Sequence, residues 1–127
     1  MSKKILVVDD SPVELANLRM LLHDHGYDTV TATTGREGVE KAIAEMPSLI
    51  LLDIMMPDMD GYEVARGLRA DPFTSNVPLI ALTGYGQLRD KETAALAGFD
   101  AHLVKPVDPD ELVAMIEGVL GRLQAPG

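Results

Sequence analysis

The hydrophobic positions fall into two alternating patterns. Unbroken apolar runs occur at Ile5-Leu6-Val7-Val8, at Leu49-Ile50-Leu51-Leu52 and across residues 77–82. Runs this short, bounded by turn residues, predict strands buried on both faces. Pro78 stands near the start of the third run, where proline is tolerated. Residues 28–33 alternate polar and apolar and are rich in Thr and Val, which predicts an edge strand with one wet face. Residues 100–104 predict a short strand of mixed character.

Between these runs the apolar residues shift to helical spacing. Leu15, Leu18, Leu21 and Leu22 make one stripe; Val39, Ala42, Ile43 and Met46 make the next. Val64, Ala65 and Leu68 carry a third helix, and Leu112, Ile116, Val119, Leu120 and Leu123 the last. A helix over residues 87–97 has a mostly alanine face. Ser11-Pro12-Val13-Glu14, Thr34-Gly35-Arg36-Glu37, Asp60-Gly61-Tyr62-Glu63 and Asp108-Pro109-Asp110-Glu111 each place a capping side chain before an acid at the third helical position. Gly26, Pro47, Pro72 and Gly98 mark the ends. Met20, Met46 and Met115 read as core filler, and His23 and His25 as cations suited to the end of helix one.

Five strands alternating with five helices imply a parallel sheet joined by right-handed crossovers, with helices on both faces. The strands buried on both faces belong in the centre and the mixed ones at the edges. This gives the order 2-1-3-4-5, the flavodoxin-like doubly wound arrangement.

In such sheets ligands sit beyond the carboxyl ends of the strands, where the winding reverses. The residues ending the strands are Asp9 and Asp10, Asp53, Thr83 and Lys105. A carboxylate inside the apolar core would be costly, so Asp53 belongs at the strand's open end. Carboxylates gathered there repel one another unless a cation intervenes. Oxygen ligands without His or Cys favour Mg²⁺ over zinc. Lys105 and Thr83 suit phosphoryl oxygens, and Asp53 becomes the plausible nucleophile of a phosphoryl site.

The totals narrow the setting. The 127 residues suit one domain, able to bury roughly two-thirds of its unfolded surface. No apolar run approaches the roughly 18 residues of a membrane span, and the four apolar residues after the basic start are too few for a signal peptide. There is no cysteine, so cytoplasm is the expected location. A net charge of −9 argues against binding nucleic acid or anionic lipid, and is compatible with a cation.

Taken in order, these motifs resemble the receiver domain of two-component response regulators, similar to the single-domain chemotaxis regulators. The resemblance rests on Asp9-Asp10 after strand one, Asp53 followed by Met-Met-Pro-Asp-Met-Asp-Gly, Leu82-Thr83, and Lys105-Pro106 before a capped helix. It covers residues 3–123, leaving 124–127 as a tail of one receiver domain spanning 1–127. It implies that Asp53 accepts a phosphoryl group from the phosphohistidine of a histidine kinase or phosphotransfer protein. Asp10, Asp53 and the main-chain carbonyl of Met55 would bind Mg²⁺, with Asp9 acting mainly through water. Thr83 would turn in to the phosphoryl oxygen, Lys105 would pair with it, and Pro106 would follow a cis peptide. Such a chain is a signalling switch and not an enzyme, although it assists its own phosphorylation and dephosphorylation. Its downstream protein partner would meet the face made by helix four, strand five and helix five. Whether it works alone or belongs to a hybrid kinase stays open.

Three positions depart from or qualify the pattern. The switch position three residues before the lysine, usually aromatic, is His102, whose charge can change near neutral pH. Met55 and Tyr85, two residues after Asp53 and Thr83, are bulky and would shield the phosphate and lengthen its life. Asp60 reads as a helix cap. A small Mg²⁺-dependent phosphatase of the haloacid dehalogenase type is the alternative. It wants an acid where Met55 stands. A flavodoxin-type carrier would want a hydroxyl-rich loop where Asp9 and Asp10 stand.

Overall fold

The apolar runs become strands and the periodic stretches become helices, in the expected alternation. The computed structural model describes residues 3–56, 59–84 and 97–124. Its elements are β1 (Lys4–Val8), α1 (Pro12–Asp24), β2 (Asp28–Ala32), α2 (Gly35–Glu45), β3 (Leu49–Asp53), β4 (Met55–Met56), β5 (Met59–Asp60), α3 (Gly61–Ala70), β6 (Leu79–Thr83), β7 (Ala101–Val104) and α4 (Pro109–Gln124). The five-stranded sheet is parallel, in the order β2-β1-β3-β6-β7, which is the order expected for the five main strands.

Alternation along each strand divides the core in two. Leu6, Val8, Ile50, Leu52, Leu79 and Ala81 meet Ala42 of α2 and Val64 and Leu68 of α3 on one face. Ile5, Val7, Leu49, Leu51, Ile80 and Leu82 meet Leu15, Leu18 and Leu22 of α1 and Leu112 and Ile116 of α4 on the other. Each fully buried Leu or Ile contributes about 1.5–3 kcal/mol relative to exposure. A one-residue slip would exchange the two faces, so the register is held by the whole core. Val8 lies opposite Leu52, Asp53 opposite Leu82, and Thr83 opposite Val104. That register brings the strand ends to a common edge.

Several expectations change. Met20 and Met46 are 68% and 65% exposed and are not core filler. Met46 caps α2 in a left-handed conformation (φ 48°), which turns it off the helix's apolar face. Met115 does pack against the core on the α1 and α4 side. β6 begins at Leu79, after Pro78, whose carbonyl still accepts from Ile50 N at 2.9 Å. The expected loop after Asp53 folds back as a two-residue antiparallel pair, β4 with β5. Four helices are present among the described residues; apart from Ala97, the expected helix over residues 87–97 lies outside them.

Candidate functional site

β1 and β3 deliver the acids. Asp9 follows β1 and is fully buried, and Asp53 ends β3 and is 4% exposed. Asp10 is exposed at the mouth. One carboxylate oxygen from each of Asp9, Asp10 and Asp53 can be chosen so that all lie within 4.8 Å of one another. Three hard oxygen donors so close, two of them withdrawn from water, fit a small divalent cation such as Mg²⁺.

β7 delivers the cation. Lys105 directly follows it, and its backbone N–H donates to the Thr83 carbonyl at 2.6 Å. The peptide bond to Pro106 is cis, as expected. Lys105 Nζ lies 3.1 Å from Asp53 Oδ2 and 3.3 Å from Asp9 Oδ2. Its shortest contact is with Glu14 Oε2, at 2.7 Å. The sequence pattern marks Glu14 only as the acid of a helix cap. Ser11 does cap α1, accepting from Glu14 N at 3.3 Å, but the Ser11 N–H donates to Asp9 Oδ1 at 2.9 Å. The carboxylate of Glu14 is thereby left to Lys105 and to the Asp9 carboxyl.

The electrostatics follow from this crowding. Burial first, and then the hydrogen bond with Glu14, push the Asp9 carboxyl up to about 7, against the opposing pull of Ser11 N–H and Lys105. Glu14 moves down, because Asp9 carries the shared proton and because Lys105 stands beside it. Burial alone would lower the Lys105 ammonium, but Glu14, Asp53 and Asp9 outweigh it and hold it above its ordinary value. Lys105 is thus a fixed positive charge and not a base.

Thr83 is fully buried, and its Oγ1 donates to the Leu103 carbonyl at 3.4 Å. His102 sits half-buried on β7, opposite Ala81. Asp60 caps α3, accepting from Tyr62 N at 2.9 Å, as expected. Gly61 fixes the loop beyond Asp53. A Cβ there would stand 2.4 Å from the Cα of Ile54, so only glycine lets α3 approach so closely. Met55 opens β4, opposite Asp60. Its side chain and all of Tyr85 lie outside the described residues, as do Pro57 and Asp58.

The site therefore gathers Asp9, Asp10, Asp53 and Lys105 at one sheet edge, with Thr83 ending the adjoining strand. The response regulator receiver domain model matches residues 5–117, and the chain belongs to that family. It is a receiver domain of two-component signalling, a class of switches that partner with sensor histidine kinases. It is similar to protein PilH of Pseudomonas aeruginosa, 39% identical over 117 residues that make up 92% of this chain and 97% of PilH. Among solved structures it resembles a CheY-like receiver domain protein from Methanospirillum hungatei JF-1, with 33% identity, a TM-score of 0.90 and 98% of each chain covered. It also resembles the receiver domain of a sensor histidine kinase from Pseudomonas aeruginosa PAO1, with 31% identity, a TM-score of 0.86, and 95% of this chain and 99% of that one covered. That receiver holds a magnesium ion in its active-site cleft. The chain spans about half the length of several further relatives that are transcriptional regulators. The family match removes the phosphatase alternative.

Proposed function

We propose that Asp53 is the phosphoacceptor of this receiver, drawing on a histidine kinase or phosphotransfer protein. The observation that carries this reading is Lys105 Nζ, 3.1 Å from a carboxylate that is itself among three able to share a cation. An Asp53 oxygen attacks phosphorus, and the P–N bond to the donor imidazole breaks. The electron pair stays on the ring nitrogen, which takes up a proton, and an acyl phosphate remains on Asp53.

Asp10, Asp53 and the Met55 carbonyl would hold Mg²⁺, with Asp9 beside them. When bound, the ion supplies charge neutralisation for phosphoryl oxygens. Lys105 supplies a second positive charge from the α1 and α4 side. Thr83 would exchange its Leu103 acceptor for a phosphoryl oxygen, and His102, one residue before Leu103, would respond to that change. Met55 and Tyr85 would lengthen the life of the phosphate by covering it. In this reading the chain assists its own phosphorylation and dephosphorylation without turning over a separate substrate.

The unit from 1 to 127 is read as one receiver domain working in the cytoplasm. No helix among the described residues is long and apolar enough to cross a membrane. The downstream partner is read as a protein, meeting β7, α4 and the helix expected over residues 87–97, and the net charge of −9 speaks against nucleic acid. Incubation with acetyl phosphate and Mg²⁺, followed by intact mass, tests the core of this reading. The parent should gain one phosphate and Asp53→Asn none. A parent that gains none, or a variant that gains as much, overturns it.

A further inference from the structure

An ammonium has three N–H donors, and three carboxylates surround Lys105. Glu14 makes the shortest contact, at 2.7 Å, against 3.1 Å for Asp53 and 3.3 Å for Asp9. Its side chain is also the least buried, at 40% exposed against 6% and 0%. Asp9 and Asp53 are fixed at strand ends, and Asp9 is further tied to Ser11 N. Glu14 instead projects from the first turn of α1 on a longer side chain, held only by Lys105 and by its hydrogen bond with Asp9 among the described residues. A groove of about 280 Å³ opens beside it, lined by Asn17, Leu21, Lys105 and Val107 among others, and gives its carboxylate a way out to water.

A phosphoryl group on Asp53 needs a donor from an ammonium whose surroundings are already filled. Of the three partners, Glu14 is the one that can be released. Its loss would leave Lys105 placed by Asp53 and Asp9. It would also remove a negative charge from the approach of an anionic donor. We propose that Glu14 is a positioning residue for the phosphorylation reaction, one that holds Lys105 toward α1 in the resting protein and thereby restrains phosphoryl uptake at Asp53. The inference rests on Asp53 being the phosphoacceptor.

The test is phosphate uptake from acetyl phosphate at saturating Mg²⁺, followed by intact mass across donor concentrations. Four proteins are compared: the parent, Glu14→Gln, Glu14→Asp, and Glu40→Gln as removal of an exposed charge elsewhere. Glu14→Gln should lower the half-saturating donor concentration about threefold, the scale of a partly exposed ion pair. Glu14→Asp keeps the charge but withdraws it, and should fall between Gln and the parent. It also carries the test should the Gln variant fail to fold. Glu40→Gln should match the parent. If the parent is phosphorylated but Glu14→Gln is unchanged or weaker, or Glu40→Gln shifts equally, or Glu14→Asp equals the parent, this inference falls and the phosphoacceptor reading stands. If the parent takes up no phosphate, both fall.

Discussion

Two cations stand at opposite ends of the sheet, and their surroundings differ in kind. At the amino end, Arg69 of α3 donates to the carbonyls of Gly98, Ser75 and Val77 and to Asp100 Oδ2 at 3.1 Å. Asp100 Oδ2 also accepts from Leu79 N at 2.8 Å. Gly98 takes φ +104° there, and a Cβ would stand 2.5 Å from the Arg69 side chain. One positive charge meets one carboxylate and several neutral carbonyls, in a geometry suited to a rigid guanidinium fork. At the carboxyl end, Lys105 faces three carboxylates, two of them buried. The first arrangement is balanced and closed, and it joins loops. The second carries an excess of negative charge around a single point donor, and a bound cation would relieve it. What separates a joint from a site here is charge balance, since both are dense in hydrogen bonds.

The strongest way to break this contrast is Arg69→Ala. It strips the donor from several partly buried carbonyls and leaves Asp100 without its cation. A loss of about 3 kcal/mol is expected in urea unfolding. Phosphate uptake by the remaining folded protein should stay unchanged. A variant as stable as the parent would mean that Arg69 is not a joint, and a folded one that takes up no phosphate would mean that the amino end is more than a joint.

A smaller effect should come from Asp9, in the opposite sense. Its carboxyl is raised to about 7, above the roughly 3.9 of an unfolded aspartate. The folded protein therefore holds that proton more tightly. The stability this contributes is full below about pH 4 and is lost as pH rises to about 7. Without metal, Asp9→Asn should melt higher than the parent, by on the order of 5 °C at pH 8 and by less at pH 5. Mg²⁺ should raise the parent more at pH 8 than at pH 5. Melting differences that do not change with pH would show that the site carries no such excess charge.

The smallest effect is expected at His102, on the edge strand between the two ends. His102→Phe should leave phosphate uptake within about twofold, as for an ordinary partly exposed position. It should change how beryllofluoride, a phosphoryl mimic, alters hydrogen exchange across β7, because a larger apolar ring then stands opposite Ala81. A variant whose exchange across β7 responds as the parent's does denies His102 a part in the switch.

What could be read from the chain were the local features. Apolar runs gave β1, β3 and the body of β6, because those strands are covered on both faces. Ser11, Thr34, Asp60 and Asp108 marked helix starts that the backbone adopts. The meeting of Asp9, Asp53, Thr83 and Lys105 followed from topology alone. Glu14 did not, because its partner is settled by a competition. Asp9 takes the Ser11 N–H, and Lys105 arrives from 91 residues away. Arg69 gave no signal either, since an arginine near a helix end suits the dipole without any further partner. Met20 failed for a plainer reason. A stripe of leucines defines the buried face, and a methionine beside it fits either side.

Thr83 rests on a hydrogen bond of 3.4 Å, close to the outer limit for a hydroxyl. A bond that long is worth less than the roughly 1 kcal/mol of a good one. If Thr83 is the group that moves, its resting and turned arrangements differ by little on this count. The receiver is then governed by populations, and a modest preference of a partner for one arrangement would bias the unphosphorylated chain as well. The same property makes the response graded, with the strength of the signal set by how many molecules have turned at any moment.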